Sequence, residues 1–419
     1  MNLRLNFFFF GLIFFLGYFV LSSSERNLLD LSFIIFSPLA FSFFLLSLYN
    51  LLNKITTRKY HSILRVSSAV LIFFLITISS YFGVTQSLTG SHNLSPNLYL
   101  YGLSFYSAYI ALIIFKKNSQ LENIFIAANP LLVITGPIVN LFRPIKHMGA
   151  IKRFNYFFPF FIIGIFFVKI VSIPLTHFLW MVELQDILSV LIFALIFELF
   201  IYFNFGGLSL LIYGLFGMLG FKIPLNFKQP FSANNIIEYW RGWHISLSYV
   251  LKHIFYKPIR KYGLYISLFC IYISSGLWHG ASLNFILWGL FHATSFIVTI
   301  NLLKYNFQKL SILTMFTSVI FGRMIFADSD ISRLLNKFNF NIYEFDYYLF
   351  VNSPKYSLLS LIIALSIIML EFFMKDKRLF KNRNYKFLRT YPSQVTILFI
   401  TLFLITGGFG VEYAVYGQR

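Results

Sequence analysis

The stretch that decides the fold is residues 238–292, EYWRGWHISLSYVLKHIFYKPIRKYGLYISLFCIYISSGLWHGASLNFILWGLFH. It contains four of the five tryptophans and four of the eight histidines of the chain. A basic, tryptophan-rich amphipathic segment ends at Lys261, and an apolar run from Leu264 follows that contains His279. Polar groups are costly to bury without a hydrogen bond, and at membrane depth they are usually functional. His279 is therefore the first candidate for chemistry.

The composition indicates a membrane protein. The chain has 419 residues, of which 58% are hydrophobic and 11% charged, whereas an ordinary soluble domain has about 25% charged residues. We predict an all-α fold, a polytopic integral membrane bundle with about 11–13 membrane helices if short or re-entrant ones are included. One membrane domain, 1–419, is expected, with N-terminal helices in 1–120, a core in 121–309 and C-terminal helices in 310–419.

The net charge of +20 does not indicate a nucleic-acid partner. The basic residues form short clusters between apolar runs, which is the pattern that the positive-inside rule produces in membrane proteins. It predicts a lipid bilayer as the surroundings, no nucleic-acid binding, and an N-terminus in the cytoplasm. The single cysteine, Cys270, excludes an internal disulfide.

Apolar runs of sufficient length predict spans near 5–23, 28–52, 64–86, 97–115, 154–176, 186–205, 310–327, 355–373 and 394–411. Residues 121–142 are also apolar but contain Pro130, Gly136 and Pro137, so a broken or re-entrant helix is expected there. Residues 206–221 are too short and too glycine-rich to be predicted as a crossing.

His279 has small residues around it and Trp278 before it, which leaves room for a ligand. A neutral imidazole in a low-dielectric environment has the right basicity to take a proton from a hydroxyl group. The alternative is a buried histidine that only joins two helices through a hydrogen bond, and membrane depth makes function the preferred interpretation.

His244 lies in the segment WRGWHISLS, where Trp240, Trp243 and Leu247 could form one apolar face of an interfacial helix. In one interpretation His244 points from this helix into a cavity, and in the other the helix is only an interfacial anchor. His292 is interpreted as a packing residue. Glu198, at mid-depth of 186–205, is interpreted as the partner of an arginine or a backbone group rather than as a catalytic residue.

Several catalytic signatures are missing from the sequence. It contains no P-loop, no HExxH, no Cys/His metal spacing and no GxSxG elbow. We therefore expect no metal and no bound cofactor, and a serine-hydrolase triad is disfavoured. A histidine base that acts on a hydroxyl substrate needs none of these signatures.

Three motifs together resemble the membrane-bound O-acyltransferase (MBOAT) family, in its bacterial branch with the alginate O-acetylation and teichoic acid D-alanylation membrane proteins. They are GFKIPLNFKQPF (220–231), EYWRGWHISLS (238–248) and GLWHGASLNFILWGLFHA (276–293). The sequence departs from that branch in FNFGGLSL (203–210), which lacks the usual acidic residues, and in Gly242, where a second arginine is usual.

The resemblance implies that His279 is the active-site histidine of a central membrane tunnel and His244 the second histidine beside it. The donor would be an acyl thioester, acetyl-CoA or acyl carrier protein, that arrives from the cytoplasm. The acceptor would be a hydroxyl of a cell-surface or exported polysaccharide, reached directly or through an extracytoplasmic partner acyltransferase. The candidate substrate-binding residues are Trp240, Trp243, Trp278, Ser275 and Asn284.

The resemblance also implies a multi-pass protein of the bacterial cytoplasmic membrane. Transfer of an acyl group, most simply acetyl, is the preferred function. D-alanyl transfer to teichoic acid from a carrier protein is the first alternative. A non-catalytic transporter or flippase, and a structural subunit of a synthase complex, are the alternatives from other functional classes.

Overall fold

The computed structural model describes residues 49–57, 60–75, 96–116, 136–138, 143–181, 187–327 and 353–373, together with Leu132 and Leu335. Helices dominate these residues, and five helices are long and apolar enough to cross a membrane. The prediction of an all-α polytopic membrane fold is confirmed. The predicted spans 5–23 and 394–411 lie outside the described residues, so the total of about 11–13 membrane helices stays a prediction.

The longer helices before the central stretch are α1 (His61–Phe73), α2 (Pro96–Lys116), α3 (Ala150–Phe166), α4 (Ile173–Met181) and α5 (Ile187–Leu219). A π-helical turn, Phe167–Ser172, joins α3 to α4. The strands β1 (Arg143–Pro144) and β2 (Phe221–Lys222) pair antiparallel.

The central stretch begins with α6 (Ile236–Gly242) and α7 (Ile245–Leu251), and a π-helical turn, Lys252–Tyr256, leads to the short α8 (Lys257–Ile259). The longer helices that follow are α9 (Leu264–His279), α10 (Leu283–Lys304), α11 (Gln308–Phe326) and α12 (Lys355–Phe373). Two 3-10 turns, Pro230–Ser232 and Arg260–Tyr262, lie before α6 and before α9, respectively.

Helices occupy the predicted spans 97–115, 154–176, 310–327 and 355–373. The predicted interruption of 121–142 is visible where it is described, because Gly136–Ile138 is not helical and Gly136 has φ +66°. The other residues of that segment, apart from Leu132, lie outside the described range.

Helix α5 shows that treating 206–221 as separate from the span before it was wrong. One helix of 33 residues continues through these glycines to Leu219. A Cβ on Gly207 would lie 2.8 Å from Phe167 Cβ, and one on Gly214 would lie 2.5 Å from the backbone nitrogen of Phe161. The glycines therefore allow α5 to pack closely on α3 and the turn after it, and this packing offsets their low helix propensity.

The tryptophan-rich segment is not one continuous amphipathic helix, as the sequence had suggested. Asn235 caps α6 by accepting a hydrogen bond from the backbone N–H of Glu238 at 2.9 Å. The helix ends at Gly242, and His244 adopts a left-handed conformation (φ 42°, ψ 53°) before α7 begins. Trp240 and Trp243 consequently pack inside the bundle and do not share one face with Leu247.

Helices α9, α10 and α11 pack against one another in sequence order. Close approach of α9 and α10 depends on Gly289, because a Cβ there would lie 2.6 Å from the carbonyl oxygen of Tyr272. The break at residues 280–282 brings the end of α9 next to the start of α10 and the end of α11. His279 lies at this meeting point.

Candidate active site

His279 is the last residue of α9, and its side chain is half-buried among aromatic rings. Its ring centroid lies 4.8 Å from that of Trp278, 4.9 Å from Phe326, 6.0 Å from Trp288 and 6.1 Å from Phe285. Three helices thus supply the walls around one imidazole, which keeps part of its surface accessible.

His244 occupies the left-handed turn between α6 and α7 and is also half-buried. Its ring stacks on Phe105 at 5.8 Å and meets Trp278 at 5.9 Å and Phe227 at 6.1 Å. Its Nδ1 is buried and has no hydrogen-bond partner among the described residues. The turn therefore presents an imidazole with a free nitrogen toward α2 and α9.

Trp278 joins the two histidines. Its indole contacts His244 at 5.9 Å and His279 at 4.8 Å, and His279 lies within electrostatic range of both His244 and Arg323. His244 and His279, which come from separate motifs, thus both contact Trp278, as expected for residues of one site. The predicted tunnel between them stays a prediction.

His292 continues this arrangement on α10. Its ring lies 4.7 Å from Trp288, which contacts His279, and 5.1 Å from Trp240. The side chain is buried, as a packing residue would be, but its Nδ1 and the Nε1 of Trp240 both lack hydrogen-bond partners among the described residues. Three histidines and two tryptophans therefore alternate through the core.

Arg323 is a site residue that the sequence did not reveal. Its guanidinium forms a buried ion pair with Glu198 at 2.5 Å, and Glu198 also accepts a hydrogen bond from the hydroxyl of Tyr239 at 2.7 Å. The same guanidinium lies over the rings of Phe326 at 5.2 Å and Trp243 at 5.7 Å. The interpretation of Glu198 as the partner of an arginine is confirmed. A signal was available in the sequence, namely an arginine inside the apolar run 310–327.

The predicted substrate-binding residues have different surroundings. Trp278 contacts both catalytic candidates, whereas Trp240 contacts Trp288 and His292. Trp243 packs against Tyr239 and Arg323. Ser275 is buried one turn before His279. A role of these residues in substrate binding stays a prediction.

Asn284 is used by the protein itself. Its amide nitrogen donates to the carbonyl oxygens of Ile325 and Phe326 at 3.3 and 3.2 Å, and its Oδ1 accepts a hydrogen bond from the hydroxyl of Ser282 at 2.5 Å. These bonds tie the start of α10 to the end of α11 and hold Phe326 against His279. We interpret Asn284 as a positioning residue, and a substrate contact stays a prediction.

The His244 turn is held by Asn226 in the loop before α6. The backbone carbonyl of Asn226 accepts from the N–H of Ile245 at 2.8 Å, and its Oδ1 accepts from the N–H and the hydroxyl of Ser246 at 3.0 and 2.8 Å. Nearby, Lys228 N–H donates to the carbonyl of Gly242 at 2.8 Å. A Cβ at residue 242 would lie 2.7 Å from the Lys228 carbonyl oxygen, so glycine permits this approach.

Metal ligation has no support within the described ranges, where no group of three or more His, Cys, Asp or Glu side chains could hold an ion. The histidines of the site are surrounded by aromatic rings rather than by carboxylates or thiolates. The arrangement suits acid–base chemistry by imidazole.

Comparison with known proteins extends these observations. No family model matches the chain. It is 37% identical over 147 residues to the probable alginate O-acetylase AlgI of Pseudomonas syringae, which covers 33% of this chain and 28% of the relative. It is 38% identical over 97 residues to the peptidoglycan O-acetyltransferase of Helicobacter pylori, or 22% of this chain and 18% of the relative.

The chain is also 29% identical over 167 residues to the teichoic acid D-alanyltransferase of Bacillus subtilis, which covers 36% of this chain and 40% of the relative. All three relatives are of the MBOAT type. The resemblance to this family is confirmed. The chain matches less than half the length of each of these curated relatives. The bacterial relatives, together with five membrane-capable helices within the described part of the chain, indicate a multi-pass bacterial membrane protein.

Proposed function

We propose that this protein is a membrane-bound O-acyltransferase that transfers an acyl group, most simply acetyl, from a cytoplasmic thioester to a hydroxyl of a cell-surface or exported polysaccharide. The observation that carries the proposal is that His244 and His279 both contact Trp278, at ring-centroid distances of 5.9 and 4.8 Å. The names of the relatives, O-acetylases and D-alanyltransferases, support the same reaction class.

His279 acts as the general base in this proposal. Its imidazole takes the proton of the acceptor hydroxyl while the oxygen attacks the thioester carbonyl carbon. The carbonyl electrons move to oxygen, the C–S bond then breaks, and the leaving thiolate takes the proton from the imidazolium. The aromatic walls from Trp278, Trp288 and Phe326 exclude water, which would otherwise hydrolyse the thioester.

His244 is proposed to lie in the same substrate site, since its ring contacts Trp278 as the ring of His279 does. Its partly exposed ring and its Nδ1, which has no hydrogen-bond partner among the described residues, suit a hydrogen bond to one of the two substrates. The donor is proposed to be acetyl-CoA or an acyl carrier protein, with no metal and no bound cofactor. The proposed location is the bacterial cytoplasmic membrane, with an extracytoplasmic acyltransferase as a further partner.

The test is a His279→Ala variant in the native host at equal membrane levels. Alkali-labile esters on the surface glycans are quantified and the released acid is identified. We expect the ester signal to fall to background, with acetate as the acid released by the wild type. An unchanged ester content in the variant would contradict the role of His279.

D-alanyl transfer to teichoic acid is the second candidate, favoured by the match to the Bacillus subtilis enzyme over a larger share of both chains. Release of D-alanine instead of acetate in the same assay would select it. A transporter or flippase predicts that export continues and that esterification survives the loss of His279, and a structural subunit predicts no change once the variant inserts.

A further inference from the structure

The amide group of Asn226 is the feature of the site that the mechanism above leaves unused. The side chain is 1% exposed, and its Nδ2 has no hydrogen-bond partner among the described residues. An amide that is buried in this way normally finds an acceptor, because an unpaired buried donor is destabilising. The other end of the same amide is fully engaged.

The orientation of this amide is fixed by its partners. A backbone N–H can only donate, so the atom that faces the N–H of Ser246 at 3.0 Å must be the oxygen, Oδ1. The Ser246 hydroxyl accepts from Ile138 N–H at 3.0 Å and donates its own proton to Oδ1 at 2.8 Å. A flipped amide would place two donors against each other, so the Nδ2 hydrogens face away from Ser246.

The unpartnered nitrogen lies close to Gly136 and Phe105, and Phe105 also contacts His244. A Cβ on Gly136 would lie 3.7 Å from Asn226 Nδ2 and 3.0 Å from Phe105 Cε1, and the Phe105 ring stacks on His244 at 5.8 Å. The NH₂ group of Asn226 and the imidazole of His244 therefore both lie beside the ring of Phe105. This ring also contacts Trp278 at 5.3 Å.

We propose that Asn226 donates a hydrogen bond to the carbonyl oxygen of the acyl donor, an inference that rests on the proposed function. When the acceptor oxygen attacks the carbonyl carbon, the electron pair of the C=O bond moves to that oxygen, and the Asn226 N–H stabilises the negative charge. The charge returns to re-form the carbonyl as the C–S bond breaks and the thiolate leaves. Ser246 keeps the donor aimed throughout.

The experiment compares Asn226→Asp with Asn235→Asp. Asn226→Asp keeps an oxygen that accepts from Ser246 and replaces the unpartnered NH₂ group by a second oxygen. Asn235→Asp makes the same chemical change at the N-cap of α6, where aspartate caps a helix as well as asparagine does. The rate of ester formation on surface glycans is measured after induced expression and divided by the amount of folded protein in the membrane. An uncharged variant, Asn226→Ser, is measured in parallel, and it removes the donor together with the oxygen that accepts hydrogen bonds from Ser246.

The Asn226 variants are expected to form esters about 100-fold more slowly than wild type, while Asn235→Asp keeps the wild-type rate. Thermal unfolding in detergent should remain close to that of wild type for at least one Asn226 variant. Wild-type rates in a folded Asn226 variant, with esters absent in His279→Ala, would overturn the role of Asn226 alone. Esters that persist in His279→Ala would overturn the proposed function and this inference with it.

Discussion

Three residues at or near the site have backbone or charge properties that a folding chain normally avoids. His244 has φ 42°, a conformation that is uncommon for a residue other than glycine. Arg323 and Glu198 are charged groups buried in an apolar bundle. The hydrogen bonds from the Asn226 loop fix the His244 turn, and the ion pair compensates each of the two buried charges with the opposite charge.

The ion pair gives a prediction at this scale. Glu198→Gln removes the negative charge that pairs with the buried Arg323 guanidinium at 2.5 Å. We expect the free energy of unfolding to fall by about 3–5 kcal/mol, because removing one partner of a buried ion pair is strongly destabilising. Thermal or denaturant unfolding of the purified protein in detergent measures the loss.

The matched control for this substitution is Glu238→Gln. Glu238 accepts a hydrogen bond from the N–H of Asn234 at 3.0 Å at the start of α6, and glutamine fulfils the same capping role. The free energy of unfolding of Glu238→Gln should differ from that of the wild type by no more than about 1 kcal/mol. Equal stability losses in the two variants would show that the ion pair has no special contribution.

At the scale of elements, the glycines of α5 decide how closely the helix approaches α3. Gly207 and Gly214 lie on one face of the helix, since about two helical turns separate them. That face packs against Phe161 and Phe167. Small residues at helix interfaces allow such approach in membranes, where van der Waals packing replaces the hydrophobic effect between helices.

Gly214→Ala is therefore expected to destabilise the protein. The added Cβ would lie 2.5 Å from the backbone nitrogen of Phe161, so α5 must move outward, at a cost of about 1–3 kcal/mol. Gly206→Ala is the control on the same helix, because its Cβ would make only ordinary van der Waals contacts, with the Tyr202 ring at 3.8 Å and with Phe227 at 4.0 Å. It should be neutral or stabilising by up to about 1 kcal/mol. The free energy of unfolding of both variants is measured in detergent. An equal loss of stability in Gly214→Ala and Gly206→Ala would contradict the packing argument.

For the whole molecule, the positions of basic residues predict the orientation of the bundle. Lys257 and Lys261 precede α9, and Lys304 and Lys309 flank the turn between α10 and α11. The positive-inside rule places all of them in the cytoplasm. Helix α9, with 16 residues, would then carry His279 about 24 Å into the membrane.

Cysteine labelling tests this orientation. In a Cys270→Ser background, exposed Lys152 and Lys309 are replaced one at a time by cysteine. A membrane-impermeant maleimide should label both in inside-out vesicles and neither in intact cells. Labelling of either cysteine from outside intact cells would contradict the topology, whereas a permeant maleimide in the same cells verifies that each thiol is reactive.

The sequence by itself determined the fold class, the bounds of several spans and the identity of both histidine motifs. These are local properties: the length of an apolar run predicts a membrane helix, and the WRGWH and WHG motifs are continuous in the chain. The break after His279 was also predictable, because glycine and polar residues interrupt the apolar run there.

Only the tertiary structure decided which residues meet. Phe105, Asn226 and Arg323 reach the site from distant segments, and no local pattern specifies such contacts. The same holds for two predictions that were wrong. Helix α5 continues through its glycines because α3 packs against them, and the helix before His244 ends because the Asn226 loop bonds to its turn. Local propensity is a weak preference, and packing and hydrogen bonds between distant segments outweigh it.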